Sequence, residues 1–478
     1  MLKFGLVTLG CDKNTVDSER YLADLVAHGA EAVTDLRDAD VIVVNTCGFI
    51  DAAKKESLDA ILDAARLKDD GQCKAVFAIG CMVERHKDEL VEALPEVDVF
   101  LGTSETDRLV PELVARGLLG GSLVEHPGVR LFSGDLPQVR YLKISEGCDH
   151  GCAFCAIPLM RGKHRSFALD DLIREAQLLE VQGAREVNLV AQDLAHYGRD
   201  RRDGNTLPEL LEALVRETTI PWIRNMYLYS SGITPRLLEV IAANPRILRY
   251  LDTPMQHGAD AVLARMRRPE RQKTIRERLA MYRDIVPDLA VRTSVIVGFP
   301  GETESDFLTL CEFLEEMQFD RVGVFTYSPQ EGTRAFGMED DVADSIKQER
   351  KERIEELQRA ITSLRYERFL GRESRLLVER ASEVPGEWLA RAPWQADDID
   401  GLVHIAPSPN GDRMVPGAMI DARITHVIDD YDFRATLLQV ADLPSAPVVR
   451  ASRSLPLVAF ADAEAPSQPA TRVGSYGR

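Results

Sequence analysis

Glu146-Gly147-Cys148-Asp149-His150-Gly151-Cys152-Ala153-Phe154-Cys155 places three thiols at C-x3-C-x2-C spacing. The run follows Val139-Arg140-Tyr141-Leu142-Lys143-Ile144-Ser145, which alternates like a short strand. Three thiolates in one loop hold three corners of an iron–sulfur cube and leave the fourth iron without a protein ligand. An iron open in that way chelates a small molecule and passes it an electron. Two plainer readings compete. A zinc ion wants four protein ligands, so His150 would have to serve from between two of the cysteines; or the three are merely structural thiols. The spacing, the preceding strand and the aromatic Phe154 within C-x2-C agree on the open cluster.

Five other cysteines occur: Cys11, Cys47, Cys73, Cys81 and Cys311. Three of them, Cys11, Cys47 and Cys81, come just after the carboxyl ends of predicted strands Phe4–Leu9, Val41–Thr46 and Lys74–Gly80. Helices are predicted between these strands, over about Val16–Ala27 and Ala53–Leu67. Such alternation predicts a doubly wound parallel sheet, whose strand ends gather on one edge. Thiols about 35 residues apart would meet there and share a second cluster; the plainer reading is three buried strand-end cysteines. Two cubes amount to about eight irons per chain. Cys73 enters its strand from the other end and reads as structural, and Cys311 as a small core residue beside Phe307, Leu310 and Leu314.

At 478 residues the chain has room for two or three domains, and 45% hydrophobic with 28% charged residues reads as soluble and globular. No apolar run reaches the roughly twenty residues that cross a bilayer, so no membrane association is expected. Met1 to Gly10 carries no basic leader with a long apolar core, and with thiols kept reduced a cytoplasmic location is expected. The net charge of −19 repels nucleic acid unless a basic patch intervenes, and suits a basic protein partner.

A stretch rich in Gly, Ser and Pro, from about Gly102 to Pro137, separates a first domain (1–120, with a linker at 121–138) from the middle region 139–370. Strands are expected there at Tyr141–Ser145, Glu186–Ala191, Ile223–Tyr229, Tyr250–Thr253, Ala290–Val297 and Arg321–Phe325, with helices such as Leu169–Gln182, Leu207–Val215 and Thr274–Ile285 in the gaps. Six such units fit a partial (βα)6 barrel with its chemistry at the carboxyl ends of the strands. Gln192 and Asp193 lie at one such end. Ser294 to Glu304 runs strand, glycine turn, helix, with Gly298, Gly301 and Glu302 in the turn; glycines admit a ligand close to the backbone, although the pattern is also common scaffolding. Arg161-Gly162-Lys163-His164-Arg165 follows the cysteine loop. It is either a solvated basic face or a cationic rim (Arg161, Lys163, Arg165) for an anionic substrate, to which Arg267 and Arg268 would add.

Asp344 to Leu370 reads as one amphipathic helix, with Ile346, Ile354, Leu357, Ile361 and Leu364 at helical spacing. Region 371–443 then turns to short strands (Ser374–Arg380, Leu402–Ile405, Met419–Val427, Arg434–Val440), a small β-barrel of the sort that binds nucleic acid. Its charge argues otherwise: residues 373–443 hold 13 Asp and Glu against 6 Arg and no Lys, a net of −7, where a phosphate-gripping barrel should be basic. The tail 444–478, rich in Ala, Pro and Ser, is expected to be disordered.

The C-x3-C-x2-C loop resembles the signature of the radical S-adenosylmethionine (SAM) enzymes, and the whole chain up to the tail resembles their methylthiotransferase family. Further residues carry the likeness: Cys155-Ala156-Ile157-Pro158, Met160-Arg161-Gly162-Lys163-His164-Arg165-Ser166, Leu189-Val190-Ala191-Gln192-Asp193, Pro254-Met255-Gln256-His257, Gly323-Val324-Phe325-Thr326-Tyr327-Ser328 and Ile399-Asp400-Gly401. They are most similar to the branch that modifies an aspartate of small-subunit ribosomal protein twelve, free or in the 30S subunit. The resemblance implies a SAM-cleaving [4Fe-4S] cluster on Cys148, Cys152 and Cys155, and an auxiliary, sulfur-carrying [4Fe-4S] cluster on Cys11, Cys47 and Cys81. It also implies a carboxyl-terminal TRAM-type barrel, SAM contacts from Phe154, Gln192, Asp193, Gly298, Gly301 and Glu302, and an electron donor such as flavodoxin or ferredoxin. Phe167-Ala168 and Ser230-Ser231 depart from the family pattern, in loops expected near the substrate mouth. A sister branch acting on a tRNA adenosine shares all six cysteines; the acidic terminal barrel opposes tRNA. A non-catalytic iron–sulfur carrier is the remaining reading, and it has no use for the barrel or the glycine turn.

Overall fold

Val41–Thr46 and Ala75–Gly80 are buried at every residue, which strands achieve only at the centre of a sheet covered on both faces. In the computed structural model, which describes residues 1–120, 130–131, 136–406, 414–429 and 431–444, they are central strands of the first domain. Its elements run β1 (Lys3–Thr8), α1 (Asp12–Ala27), β2 (Glu31–Ala32), β3 (Val41–Thr46), α2 (Asp51–Asp70), β4 (Ala75–Gly80), α3 (Cys81–Ala93), β5 (Val99–Leu101) and α4 (Leu109–Ala115). The sheet is parallel, in the order β2-β1-β3-β4-β5. The two short edge strands β2 and β5 escape a reading of apolar runs, and the Gly/Ser/Pro-rich stretch begins as structure: Leu109, Val110 and Leu113 of α4 are buried on the sheet. Most of the linker at 121–138, and all of the tail beyond residue 444, lie outside the described residues.

The middle domain runs β6 (Val139–Lys143), β7 (Ser145–Glu146), α5 (Ile157–Arg161), β8 (Arg165–Ser166), α6 (Leu169–Val181), β9 (Glu186–Val190), α7 (Leu207–Glu217), β10 (Trp222–Asn225), α8 (Pro235–Ala243), β11 (Ile247–Asp252), α9 (Asp260–Arg265), α10 (Gln272–Ile285), β12 (Ala290–Val297), α11 (Glu304–Met317) and β13 (Arg321–Thr326). Its six long strands pair in chain order, β6-β9-β10-β11-β12-β13, all parallel, the open six-unit barrel the sequence predicts. β10 ends at Asn225, short of the predicted Tyr229, because Tyr227 takes a left-handed turn at φ +62°. Alternate residues (Leu142, Leu189, Ile223, Leu251, Val291) join the helices in the main core. α12 (Asp344–Tyr366) straps the barrel with Ile354 and Ile361 buried, while Ile346 and Leu364, expected on the same stripe, are exposed. Lys347 and Arg350 are the buried residues at its start.

Strands β14 (Glu373–Ala381), β15 (Trp388–Arg391), β16 (Val403–Ile405), β17 (Met419–Ile428) and β18 (Asp432–Asp442) close a small barrel in the order β14-β15-β16-β18-β17. β15, only four residues long between Gly386 and Pro393, is not readable from sequence pattern. The segment after it enters the larger barrel. Tyr141 and Asn188, paired across β6 and β9, both donate to Asp397, Asn188 at 2.7 Å. Tyr250 donates to Asp400 at 2.6 Å, Arg321 pairs with Asp400 at 3.3 Å, and Arg391 reaches Glu186.

Burial, with the nearby Glu186 and Asp12 opposing Arg391, pushes the Asp397 carboxyl up to about 6. A carboxyl whose pKa is higher folded than unfolded holds its proton more tightly when folded. Its contribution is therefore full below the unfolded value near 4 and is lost as pH rises through 6. Asp397→Asn is expected to flatten the pH dependence of stability between about pH 4 and 7, by up to ~3 kcal/mol. Urea unfolding across that range checks it; parallel curves for both proteins would refute it.

Candidate functional site

Cys11, Cys47 and Cys81 each sit where a strand hands over to a helix. Gly10 (φ +87°) and Gly80 (φ +99°) make the turns before Cys11 and Cys81, and side chains there would collide with Cys47 and Asn45 respectively. Cys11 then stands at the N-cap of α1 and Cys81 opens α3. Asn14 ties the edge together, donating to Leu9 O (2.7 Å) and Thr46 O (3.1 Å). Burial pushes the Cys47 thiol up to about 12, and Cys11 and Cys81 push it further, as only charges close in space do. Cys81, held at about 11 by burial, is drawn down by Arg161 and raised by Cys11. The structure brings Cys11, Cys47 and Cys81 together; Cys73 lies apart, its Sγ donating to Ala75 O at 3.3 Å.

The second triad rides on a loop closed by the β7–β8 pair. Gly147 (φ +78°) lies under this closure: a Cβ there would stand 2.1 Å from Lys163 O. Cys148 N donates to Gly162 O at 3.0 Å. Burial pushes Cys148 up to about 11 and Cys155 up to about 12, each raised further by Cys152. A structural zinc takes four protein ligands. His150, the fourth ligand zinc would need, is committed to Asp193 Oδ2 at 2.8 Å and stacked on Tyr229. Three thiols on one loop, with His150 engaged elsewhere, fit a group that takes three protein ligands, and a bound cation would reverse the cost that burial places on their ionisation.

The two triads meet across α5. Cys81 packs in one cluster with Ala156, next to Cys155, and with Met160. Arg161, expected on an exposed rim, is instead buried (7% exposed) between them. Its Nε donates to Cys81 Sγ at 3.2 Å, its Nη1 to Asp17 at 2.7 Å and Glu146 at 3.1 Å, and its Nη2 to Asn14. Lys143 shares the same two carboxylates. Burial would raise Glu146, but Arg161 and Lys143 hold it far below the usual carboxylate range. Arg268, anticipated only as a rim residue, plays the matching part at the other triad: its Nη1 lies 3.7 Å from Cys152 Sγ and its guanidinium 3.8 Å over the Tyr229 ring. Each triad thus has one buried guanidinium at a sulfur. Lys163 and Arg165 are exposed.

The residues expected to meet SAM divide. Gln192 donates to Glu146 at 3.2 Å and leaves its buried Oε1 without a partner, an acceptor open to a ligand. Phe154 packs edge-on to Phe299 of the glycine turn, half-buried beside the cysteine loop. Asp193 has no acceptor to spare: it takes hydrogen bonds from His150, His196 (2.9 Å), Ala195 N and Tyr229 N (both 3.0 Å). Burial would raise its pKa, and the histidine bonds hold it well below the ordinary value. Gly298 faces Lys347 of α12, whose Cγ a Cβ would meet at 2.2 Å. Glu302 pairs with Arg350 at 2.9 Å, and Gly301 N donates to Asp341 at 2.7 Å. The glycine turn is thus moulded to α12. Of the departures, Ser230 is buried and donates to Glu270 (2.9 Å), the partner of Arg268; Phe167 lies under the Arg20 and Arg165 guanidiniums.

Three family profiles match in series: Uncharacterized protein family UPF0004 over residues 3–102, the Radical SAM superfamily over 142–314 and the TRAM domain over 370–438. The ribosomal protein uS12 methylthiotransferase RimO of Pelobacter propionicus is 43% identical over 440 residues, 90% of this chain and 96% of that protein. RimO of Anaeromyxobacter sp. strain K is 44% identical over 460 residues, 94% and 95% of the two chains. This chain belongs to the RimO family. The fold likeness reaches further than sequence: the radical SAM methyltransferase TsrM of Kitasatospora setae superposes with a TM-score of 0.50 at 12% identity, over 69% of this chain and 74% of that one. For a RimO-family chain the amino-terminal sheet, the six-unit barrel and the closed terminal barrel are the three matched domains in order.

Proposed function

We propose that this chain is a radical SAM methylthiotransferase that attaches a methylthio group to the β-carbon of an aspartate in ribosomal protein uS12. The observation that carries the reading is that the two thiol triads meet across α5, where Cys81, bonded by Arg161, packs with Ala156 beside Cys155. Cys148, Cys152 and Cys155 would hold the SAM-cleaving cluster; Cys11, Cys47 and Cys81 an auxiliary one. Together these groups supply a radical able to break an unactivated C–H bond and the sulfur that replaces the hydrogen. The protein's own part is positional. Arg161 and Arg268 place positive charge at the two sulfur sets, where buried thiolates need it. Asp193, His150 and Tyr229 lock the cysteine loop to the barrel, and Gln192 offers an acceptor to SAM. The electron donor is a small redox protein of the flavodoxin or ferredoxin kind.

Mass spectrometry of uS12 from cells lacking this gene tests the assignment. A missing increment of about 46 Da, the mass of a methylthio group in place of hydrogen, supports it. An unchanged uS12 beside a tRNA that has lost its methylthio group would move the chain to the sister activity.

A further inference from the structure

Eleven Lys and Arg side chains are buried among the described residues, and ten of them have a carboxylate oxygen within 4.0 Å. The eleventh is Lys13, 8% exposed, in the first turn of α1 and two residues after Cys11. No hydrogen bond or ion pair to a described residue holds its ammonium; Nζ lies over the ring of Tyr227 at 4.2 Å. A ring face compensates a desolvated ammonium less than a carboxylate does. Asp252 of β11 is near enough to feel the Lys13 charge, yet it is bonded to Arg292 at 3.0 Å instead.

Tyr227 follows β10 at the carboxyl end of the barrel, and Lys13 approaches from the first domain beside the Cys11 turn. The ammonium therefore stands buried at the mouth where both triads are carried, with no carboxylate of a described residue within 4.0 Å of it. We propose that Lys13 binds the side-chain carboxylate of the substrate aspartate, which rests on the assignment of that aspartate as substrate. The carboxylate is one bond from the β-carbon that reacts, so a cation holding it also places that carbon. The exposed Lys163 and Arg165 would act on the approach of the partner and not on the reacting residue.

The test is binding under anaerobic conditions to the full-length, cluster-reconstituted protein, using a uS12 peptide that spans the aspartate and its Asp→Asn counterpart. Wild type is expected to prefer the aspartate peptide roughly tenfold to hundredfold. Lys13→Met is expected to bind both peptides alike, at the level wild type shows for asparagine, and Lys13→Arg to recover part of the preference. Circular dichroism and iron content establish that each variant is folded and loaded; if Lys13→Met is not, the Lys13→Arg preference decides. A preference that survives Lys13→Met overturns the inference. So does weaker SAM binding with the peptide preference intact, which would assign the ammonium to SAM. Wild type that binds neither peptide overturns the substrate assignment together with this role.

Discussion

Cys152→Ala is expected to reduce SAM cleavage by more than ~10³-fold, while Cys81→Ala leaves cleavage standing and abolishes only methylthiolation. The two thiols lie at one barrel mouth, yet they belong to different sets. Cys152 shares its loop with Cys148 and Cys155 and touches Arg268. Cys81 shares the sheet edge with Cys11 and Cys47 and touches Arg161. Removing one of three thiols exposes a corner of the group it would hold, and the loop has no substitute ligand, since His150 is tied to Asp193. Anaerobic assay of 5′-deoxyadenosine from SAM and dithionite, beside iron analysis, checks both halves. Wild type should carry about eight irons per chain and a Cys11, Cys47, Cys81 triple alanine variant about four. Loss of SAM cleavage in the triple variant, with four irons retained, would mean that the first-domain thiols serve the radical step itself.

What the sequence made legible is what is encoded locally. The six consecutive buried residues of β3 announce a central strand, and a cysteine triad announces itself by spacing. The strand-end position of Cys11, Cys47 and Cys81 was enough to foretell their convergence, because parallel strands share an edge. What stayed hidden depends on partners far away in the chain. Nothing in Arg161-Gly162-Lys163-His164-Arg165 says which cation turns inward; Arg161 does so because Asp17, 144 residues earlier, and Glu146 wait beneath it. Asp397 and Asp400 count in the sequence toward an acidic terminal region, and nothing there says that Tyr141, Tyr250 and Arg321 bind them. Gly298 and Glu302 carry a ligand-like pattern whose partners, Lys347 and Arg350, lie on a helix some fifty residues away. Polar residues at a mouth declare that something polar meets them, not whether it is ligand or protein.

Arg161→Met is expected to be strongly destabilising although it spares every cysteine. The guanidinium is the hub of a buried network: two carboxylates, Asp17 and Glu146, one amide, Asn14, and one thiol, Cys81, all converge on it. A methionine fills the volume but leaves Lys143 alone to balance both acids, and breaking a buried pair by removing one partner costs about 3–5 kcal/mol. Lysine in its place keeps the charge without the planar fork, so Arg161→Lys should recover only part of that loss. The sign with pH follows from the acids. Against the opposition of burial, Lys143 and Arg161 together hold Asp17 and Glu146 below their ordinary values, so their contribution is present above the unfolded carboxylate range and is lost on acidification. The gap between wild type and Arg161→Met should therefore be widest at neutral pH and narrow below about pH 4. Denaturant unfolding of the cluster-free proteins at pH 7 and pH 4 measures it. A gap under about 1 kcal/mol at pH 7 would place Arg161 among surface charges, and with it would fall the claim that one buried cation joins the two sulfur sets.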